Sequence, residues 1–186
     1  MVRMGKTRMT VSRRSLLDHG VSAAAAVILP VPGKPGDRAS PQIGDIFVST
    51  VDPQSPPVQS DALREGDAPV LVWPQDPKTG LTRSGTRLNQ VLLLRIRDAN
   101  GQQTRIVAFS AICPHAACLV SQWIRATGRL HCPCHGSEFD PAHDGKVVAG
   151  PSPYPLPLLP VETVRKLITV AGPFSAPPGG HTSRTM

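Results

Sequence analysis

Cys113-Pro114-His115-Ala116-Ala117-Cys118 and Cys132-Pro133-Cys134-His135 contain every cysteine of this 186-residue chain and two of its six histidines. Two thiolates and two imidazoles can bind a metal, while two further cysteines remain to be paired with each other. Sulfur-rich sites of this kind select iron–sulfur clusters or zinc. A structural zinc site most simply uses Cys-x2-Cys or Cys-x2-His pairs, whereas the first stretch here has Cys-x-His and each stretch has an extra cysteine.

This arrangement resembles the Rieske proteins, in which one iron of a 2Fe-2S cluster is bound by two cysteines and the other iron by two histidines. The resemblance continues through Gly136-Ser137-Glu138-Phe139-Asp140 and a proline-rich stretch, Gly150-Pro151-Ser152-Pro153-Tyr154-Pro155-Leu156-Pro157. In the family, a loop of the proline-rich type covers the cluster. The resemblance implies an all-β fold, a Rieske-type antiparallel β-sandwich with a small cluster-binding subdomain inserted at about residues 111–157.

The resemblance also implies the ligands of one 2Fe-2S cluster. Cys113 and Cys132 are expected on the inner iron, and His115 and His135 on the outer iron. Each imidazole that binds iron through one nitrogen leaves the other free to hold a proton or to hydrogen-bond a substrate. Such centres have reduction potentials of about −150 to +300 mV, against about −400 mV for plant-type clusters bound by cysteine alone. We therefore expect electron and proton uptake to be linked at His135 and His115, as the oxidation of a quinol requires.

The two remaining cysteines, Cys118 and Cys134, are implied to form a disulfide that braces the two loops. A loop of about fifteen residues closed in this way is stabilised by about 3 kcal/mol in the chain-entropy model. Disulfides persist in oxidising compartments. Rieske ferredoxins and ring-hydroxylating oxygenases lack these two cysteines, so the resemblance points to the high-potential, respiratory kind of Rieske protein.

Four positions near the ligands bear on the potential and on docking. Ser137 corresponds to the family serine whose hydroxyl donates to a cluster sulfur. Phe139 stands where many quinol-oxidising members carry Tyr, and the missing hydroxyl predicts a lower potential than in a Tyr-bearing relative. Ala116 and Ala117 replace the bulkier Leu-Gly often found at the tip of the cluster domain. The chain therefore departs from the usual quinol-docking surface.

The resemblance implies one-electron transfer, with two alternatives for its setting. The first is the iron–sulfur subunit of a quinol:cytochrome c oxidoreductase of the cytochrome bc type, with a quinol donor and a cytochrome acceptor as partners. The second is the electron-relay small subunit of a periplasmic molybdenum enzyme of the arsenite oxidase type. A zinc-stabilised binding module is the alternative from a different class. In either respiratory setting the chain is an electron-transfer subunit of an oxidoreductase complex, and whether it is itself an enzyme stays open.

The positive charge of the chain is concentrated at its start. Residues 1–29 hold five basic residues and one acidic residue, and so contribute +4 of the formal +7. This leaves too little charge elsewhere to support nucleic-acid binding. Ser12-Arg13-Arg14-Ser15-Leu16-Leu17 resembles a twin-arginine export signal, followed by an apolar run at 20–29.

That apolar run is about half the roughly 20 residues that a membrane-spanning helix requires. We expect residues 1–29 to act as a twin-arginine signal or as a weak anchor that is not cleaved. Both roles place the protein on the periplasmic side of a bacterial inner membrane, and an anchor would attach it there.

The rest of the chain has the pattern of β-strands. Residues 91–97 alternate in the way expected of a half-buried strand, and Asn100-Gly101 tolerates positive φ, so 91–110 is predicted to be a hairpin. The 21 prolines also favour strands and loops over helices. Further strands are predicted at 45–51, 69–73, near Leu130 and, with a break, at 161–170.

These patterns give a simple domain organisation. Residues 30–44 are rich in Pro and Gly and are expected to form a flexible linker, although an ordinary surface loop fits equally well. Residues 45–174 form the predicted domain, and 175–186 a disordered tail. Residues 74–90 are a long polar connection, for which both an ordered excursion and a mobile loop are open.

Overall fold

The computed structural model describes residues 36–98 and 100–180, and within these ranges the chain is almost entirely β-structure. Three short 3-10 turns accompany the strands, at Ser60–Ala62, Arg87–Asn89 and Pro141–His143. The all-β prediction is confirmed. The strands are β1 (Ile46–Ser49), β2 (Val70–Gln75), β3 (Val91–Arg97), β4 (Thr104–Ser110), β5 (Gln122–Ile124), β6 (Arg129–Cys132), β7 (Ser137–Asp140), β8 (Lys146–Ala149), β9 (Leu158–Leu159), β10 (Val161–Val164) and β11 (Leu167–Val170).

Seven strands form one antiparallel sheet in the order β10-β11-β1-β2-β3-β4-β9. The predicted hairpin forms strands β3 and β4 of this sheet, with Val91 opposite Ser110 and Arg97 opposite Thr104. Gly101 in the connecting turn has φ 72°, which glycine adopts at little cost. The strands predicted at both ends of the domain also form, and the break in 161–170 is the turn between β10 and β11.

Strand β3 is more buried than its alternating pattern predicts. Leu92 and Leu94 pack into one core, which also contains Cys113 and Cys132, while Leu93 packs into a second core on the opposite face. The prediction of a half-buried strand is therefore wrong for the first half of β3. Its position between β2 and β4, with a core on each face, explains the run of leucines.

The remaining four strands form a smaller antiparallel sheet, ordered β5-β6-β7-β8, which is inserted in the chain between β4 and β9. Leu130 lies opposite Phe139 in it, and both side chains are fully buried. Of these strands, the sequence indicated β6 alone. The others are three or four residues long and carry polar residues, so their alternation is too brief to stand out.

The long polar connection at 74–90 is ordered, and two of its side chains hydrogen-bond residues at the start of the domain. Arg83 donates from Nε and Nη2 to the Asp45 carboxylate at 2.6 and 3.0 Å, in a buried ion pair. The Asn89 side chain donates to the Ala39 carbonyl at 2.7 Å. Residues 36–44 are thus a surface loop held against the domain, which is the second of the two possibilities for this stretch.

The expectation of a disordered tail differs from the structure over residues 175–180. Ser175 and Leu158 exchange two hydrogen bonds, with N···O distances of 2.8 and 2.9 Å. The signal or anchor at 1–29, the first part of the linker and residues 181–186 lie outside the described residues. Within the described part of the chain, there is no helix of the length and apolar character needed to cross a bilayer.

Candidate metal centre

The first cluster loop, residues 113–118, lies between β4 of the large sheet and β5 of the small sheet. Ile112 and Leu119 form an antiparallel bridge at its base. The Cys113 amide donates to the Cys118 carbonyl at 2.8 Å, and the Ala117 amide donates to the Cys113 carbonyl at 3.0 Å. Ala117 has φ 52°, a left-handed conformation that is uncommon for a residue other than glycine. This tight turn buries Cys113 and leaves the middle of the loop exposed.

The second cluster loop, residues 132–137, connects β6 to β7. Cys132 and Ser137 face each other as the last pair of this hairpin, and both are buried. The Gly136 amide donates to the Cys132 carbonyl at 3.0 Å, with Gly136 at φ 75°. The hairpin therefore points Cys132 into the core and exposes Cys134 and His135 at the turn.

The two buried cysteines are free thiols in the same hydrophobic core. Cys113 and Cys132 have exposures of 1% and 2%. Burial raises the pKa of the Cys113 thiol, and the neighbouring Cys132 raises it further, while hydrogen bonds from the His115 amide and the Ser137 hydroxyl oppose the shift. Two adjacent thiolates in a dry site require a cation to balance them, so this donor pair fits a metal centre.

The two histidines of the loops also lie together. The rings of His115 and His135 have centroids 4.7 Å apart and planes inclined by 82°, and both side chains are exposed. The loops thus present two buried thiols and two exposed imidazoles, the ligand types predicted for the site. The assignment of each residue to the inner or outer iron stays a prediction.

A disulfide links the two cluster loops. Cys118 and Cys134 are bonded, with their Cα atoms 6.5 Å apart, and this pairing was predicted. The sulfurs of Cys118, Cys132 and Cys134 lie within 4.8 Å of one another. Because two of them are consumed in the disulfide, Cys132 is the member of this group that retains a thiol for a metal.

The third loop, residues 150–157, rests on the second. A Cβ atom placed at Gly150 would lie 2.4 Å from Cα of Ser137, so only glycine permits this approach. The Ser152 amide donates to Ser137 Oγ at 3.1 Å, and the Ser137 hydroxyl acts to lower the pKa of the Cys113 thiol. Ser137 therefore joins the second and third loops, a role that its resemblance to the family serine did not predict.

Phe139 follows the second loop on β7 and is fully buried in the core that contains Cys113 and Cys132.

Two other histidines lie outside the site. His131 Nδ1 is 2.8 Å from Gln122 Oε1, and His143 Nδ1 is 3.0 Å from Asp140 Oδ2. Neither was predicted to be a ligand.

Several residues that contact the first cluster loop were not predicted from the sequence. Arg87 donates to the Ala117 carbonyl, and Gly179 and Gly180 lie against the loop from the end of the domain. These contacts join positions far apart in the chain. No spacing or periodicity indicates them, and the composition of the tail suggested disorder instead.

Comparisons with known proteins agree on the kind of domain. The family model described as "Rieske [2Fe-2S] domain" matches residues 60–162. The chain is 30% identical to the "Putative respiratory nitrate reductase subunit Rieske" of Haloferax mediterranei, over 94% of this chain and 84% of that protein. It is 39% identical to the "Cytochrome bc1 complex Rieske iron-sulfur subunit" of Corynebacterium diphtheriae, over 49% of this chain but only 26% of that protein.

Among solved structures, the soluble domain of Rieske protein II from Sulfolobus acidocaldarius is 26% identical to this chain, with a TM-score of 0.40. The match covers 50% of this chain and 66% of that one.

Proposed function

Because this chain belongs to the Rieske [2Fe-2S] domain family, we propose that it is the iron–sulfur subunit of a quinol:cytochrome c oxidoreductase complex of the cytochrome bc type. The family carries a 2Fe-2S cluster, and the two relatives compared above are named as Rieske subunits of respiratory complexes. The observation that supports the proposal is the pair of exposed histidine rings, 4.7 Å apart, beside two buried thiols. The disulfide between Cys118 and Cys134 supports the respiratory kind of Rieske protein.

Two of the predicted ligands are buried in the core, and the other two are exposed at the surface. Cys113 and Cys132 would hold the cluster from inside, where burial keeps water from the sulfurs. A bound cluster supplies a one-electron couple, at about −150 to +300 mV for centres of this kind. His115 and His135 would hold it from outside, each with a second ring nitrogen free to accept the proton of a quinol hydroxyl. The Cys118–Cys134 bond keeps the two histidines together as one surface.

The location of the protein forms part of the proposal. A twin-arginine signal exports folded proteins, which suits a domain whose cluster is inserted before export, and the disulfide suits an oxidising compartment. We place the domain on the periplasmic side of the bacterial inner membrane, attached through residues 1–29. The proposed partners are a quinol and a cytochrome.

A second candidate is an electron-relay subunit of another respiratory reductase. Its support is the relative named as a respiratory nitrate reductase subunit, which aligns with 94% of this chain, whereas the bc1 relative aligns with about half. In that role the two histidines need not take a proton from a substrate. The arsenite oxidase alternative remains a prediction, and the zinc-stabilised module is set aside because the matching family carries a 2Fe-2S cluster.

Purification of the complex that contains the tagged full chain would separate these candidates. The proposal predicts that cytochrome b and a cytochrome c copurify, and that the complex reduces cytochrome c with quinol. It also predicts that the midpoint potential falls by up to about 59 mV per pH unit in alkaline solution, because an imidazole releases its proton on oxidation. A copurifying nitrate reductase catalytic subunit, with no quinol:cytochrome c activity, would establish the second candidate instead.

A further inference from the structure

The first cluster loop is contacted by residues from two distant parts of the chain. Arg87 comes from the connection before β3, and Gly179 and Gly180 come from the end of the domain. We call these three residues the clamp. They meet the loop at Pro114 and Ala117.

Arg87 lies on a turn that is hydrogen-bonded to other parts of the domain. Arg87 begins the 3-10 turn Arg87–Asn89, in which Thr86 Oγ1 accepts from the Leu88 amide at 3.3 Å. Asn89 is buried, and its side chain donates to the carbonyls of Ala39 and Arg83. From this turn the Arg87 guanidinium donates to the carbonyl of Ala117, the residue with positive φ directly before Cys118.

The glycine side of the clamp approaches the same loop closely. A Cβ atom at Gly180 would lie 2.5 Å from the carbonyl oxygen of Pro114, and one at Gly179 would lie 3.4 Å from Cβ of Ala117. Both glycines have left-handed backbones, at φ 80° and 81°. Side chains at these positions would push the end of the domain away from the loop.

We propose that Arg87, Gly179 and Gly180 are positioning residues for the first cluster loop. The disulfide restrains Cys118, and the clamp restrains Pro114 and Ala117. His115 lies between these restrained residues, so the clamp fixes where its ring stands relative to the buried Cys113. The inference rests on the 2Fe-2S site of the family and not on the proposed quinol partner.

The clamp has a further electrostatic consequence. Arg87 carries a permanent positive charge at the edge of a site that becomes more negative when it accepts an electron. Because Arg87 is exposed, salt screens this effect. A purely electrostatic role and a positioning role therefore predict different responses to substitution.

The main test uses Gly180→Ala in the full chain, with Gly44→Ala as the matched control. Gly44 has φ 88°, and a Cβ atom there would have nothing within 4 Å, so the control adds similar backbone strain without the contact. In Gly180→Ala, hydrogen exchange of a peptide spanning 113–118 should be about tenfold faster, and the g values of the reduced cluster should shift. Exchange of the second loop, and of the whole domain in Gly44→Ala, should stay as in the wild type.

Arg87→Gln and Arg87→Lys give an independent test that does not add strain. Loss of one charge-assisted hydrogen bond predicts exchange about three- to tenfold faster at 113–118 in Arg87→Gln, with Lys restoring part of the protection. Unchanged exchange and g values in both Arg87→Gln and Gly180→Ala would overturn the proposal.

A purely electrostatic role would also overturn the proposal. In that case the midpoint potential falls in Arg87→Gln and returns in Arg87→Lys, while hydrogen exchange at 113–118 stays unchanged in both variants. If Gly180→Ala does not fold, the Arg87 variants decide the question. Absence of quinol oxidation by the wild-type complex would count against the proposed function only.

Discussion

The two cluster loops each contain one Cys and one His of the predicted ligand set, but they are held in place in different ways. The second loop closes the β6–β7 hairpin, and Cys132 and Ser137 are paired within it. The first loop has a single bridge at its base, between Ile112 and Leu119, and receives contacts from Arg87 and from the end of the domain. Strand pairing and the third loop thus support the second loop. The first loop is supported by one bridge, by hydrogen bonds of its own turn and by contacts from distant segments.

This difference has consequences for the stability of each loop. Residues within a hairpin open together with their sheet, whereas a loop held by scattered contacts can open alone. We therefore expect substitutions to increase local opening more in the first loop than in the second. The two loops can be compared directly, because each contains one Cys and one His of the predicted ligand set.

The largest expected effect is loss of the cluster when a ligand is removed. His115→Ala in the first loop and His135→Ala or Cys132→Ser in the second should each yield protein without a 2Fe-2S cluster, measured as iron and acid-labile sulfide per chain. His143→Ala is the control, because His143 is exposed and contacts Asp140 instead of the site. A full cluster in His135→Ala, or equal loss in the control, would show that the ligands are wrongly assigned.

Removal of the disulfide should have the next largest effect. Cys118→Ala releases the bond that joins the loops across a separation of 16 residues, and the free energy of unfolding should fall by about 3 kcal/mol. Denaturant unfolding measures the loss. Hydrogen exchange should rise more in the first loop than in the second, because the hairpin still holds the second.

Chemical labelling provides the check on this pairing. Neither Cys118 nor Cys134 should be alkylated in denatured, unreduced protein taken from the exported compartment. Labelling of both as free thiols would refute the disulfide.

Loss of the Ser137 hydroxyl should affect the potential more than the stability. Ser137 is expected to donate to a cluster sulfur, acts to lower the pKa of the Cys113 thiol and accepts from the Ser152 amide. In Ser137→Ala the reduced, more negative state loses a donor, so the midpoint potential should fall by tens of millivolts. About 1 kcal/mol corresponds to about 43 mV for a one-electron couple. Ser137→Thr, which retains the hydroxyl, should fall less, and an equal fall in both variants would point to packing.

Phe139→Tyr is expected to have the smallest effect. Phe139 is fully buried beside the second loop, in the core that holds Cys113 and Cys132. A hydroxyl able to donate to a ligand sulfur should raise the potential by tens of millivolts at most, since the buried core must also accommodate the added oxygen. Protein-film voltammetry at fixed pH measures the change, with Phe139→Leu as the packing control. An unchanged or lowered potential with the cluster intact would show that Phe139 is not at a tuning position.

The same contrast explains how much of the molecule the sequence could predict. The resemblance to the Rieske proteins, which the cysteine and histidine spacing carries, predicted the disulfide and the residues gathered in both loops. The strong alternation at 91–97 predicted the β3–β4 hairpin. Short strands such as β5 and β8 carry too few residues for a period to be visible.

Contacts between distant segments were the other part that could not be predicted. Arg83 and Asp45 are 38 residues apart, and Arg87 and Ala117 are 30 apart. Gly179 and Gly180 belong to a composition typical of disorder, although their lack of side chains is what allows the close approach to the first loop.

Nitrogen hyperfine spectroscopy of the reduced wild-type protein, labelled with 15N-histidine, tests the central claim most directly. The account predicts a 2Fe-2S signal with the low average g value of mixed Cys/His ligation, coupled to two histidine nitrogens, one from each loop. A signal of the all-cysteine type, or protein that contains zinc and no acid-labile sulfide, would contradict the account.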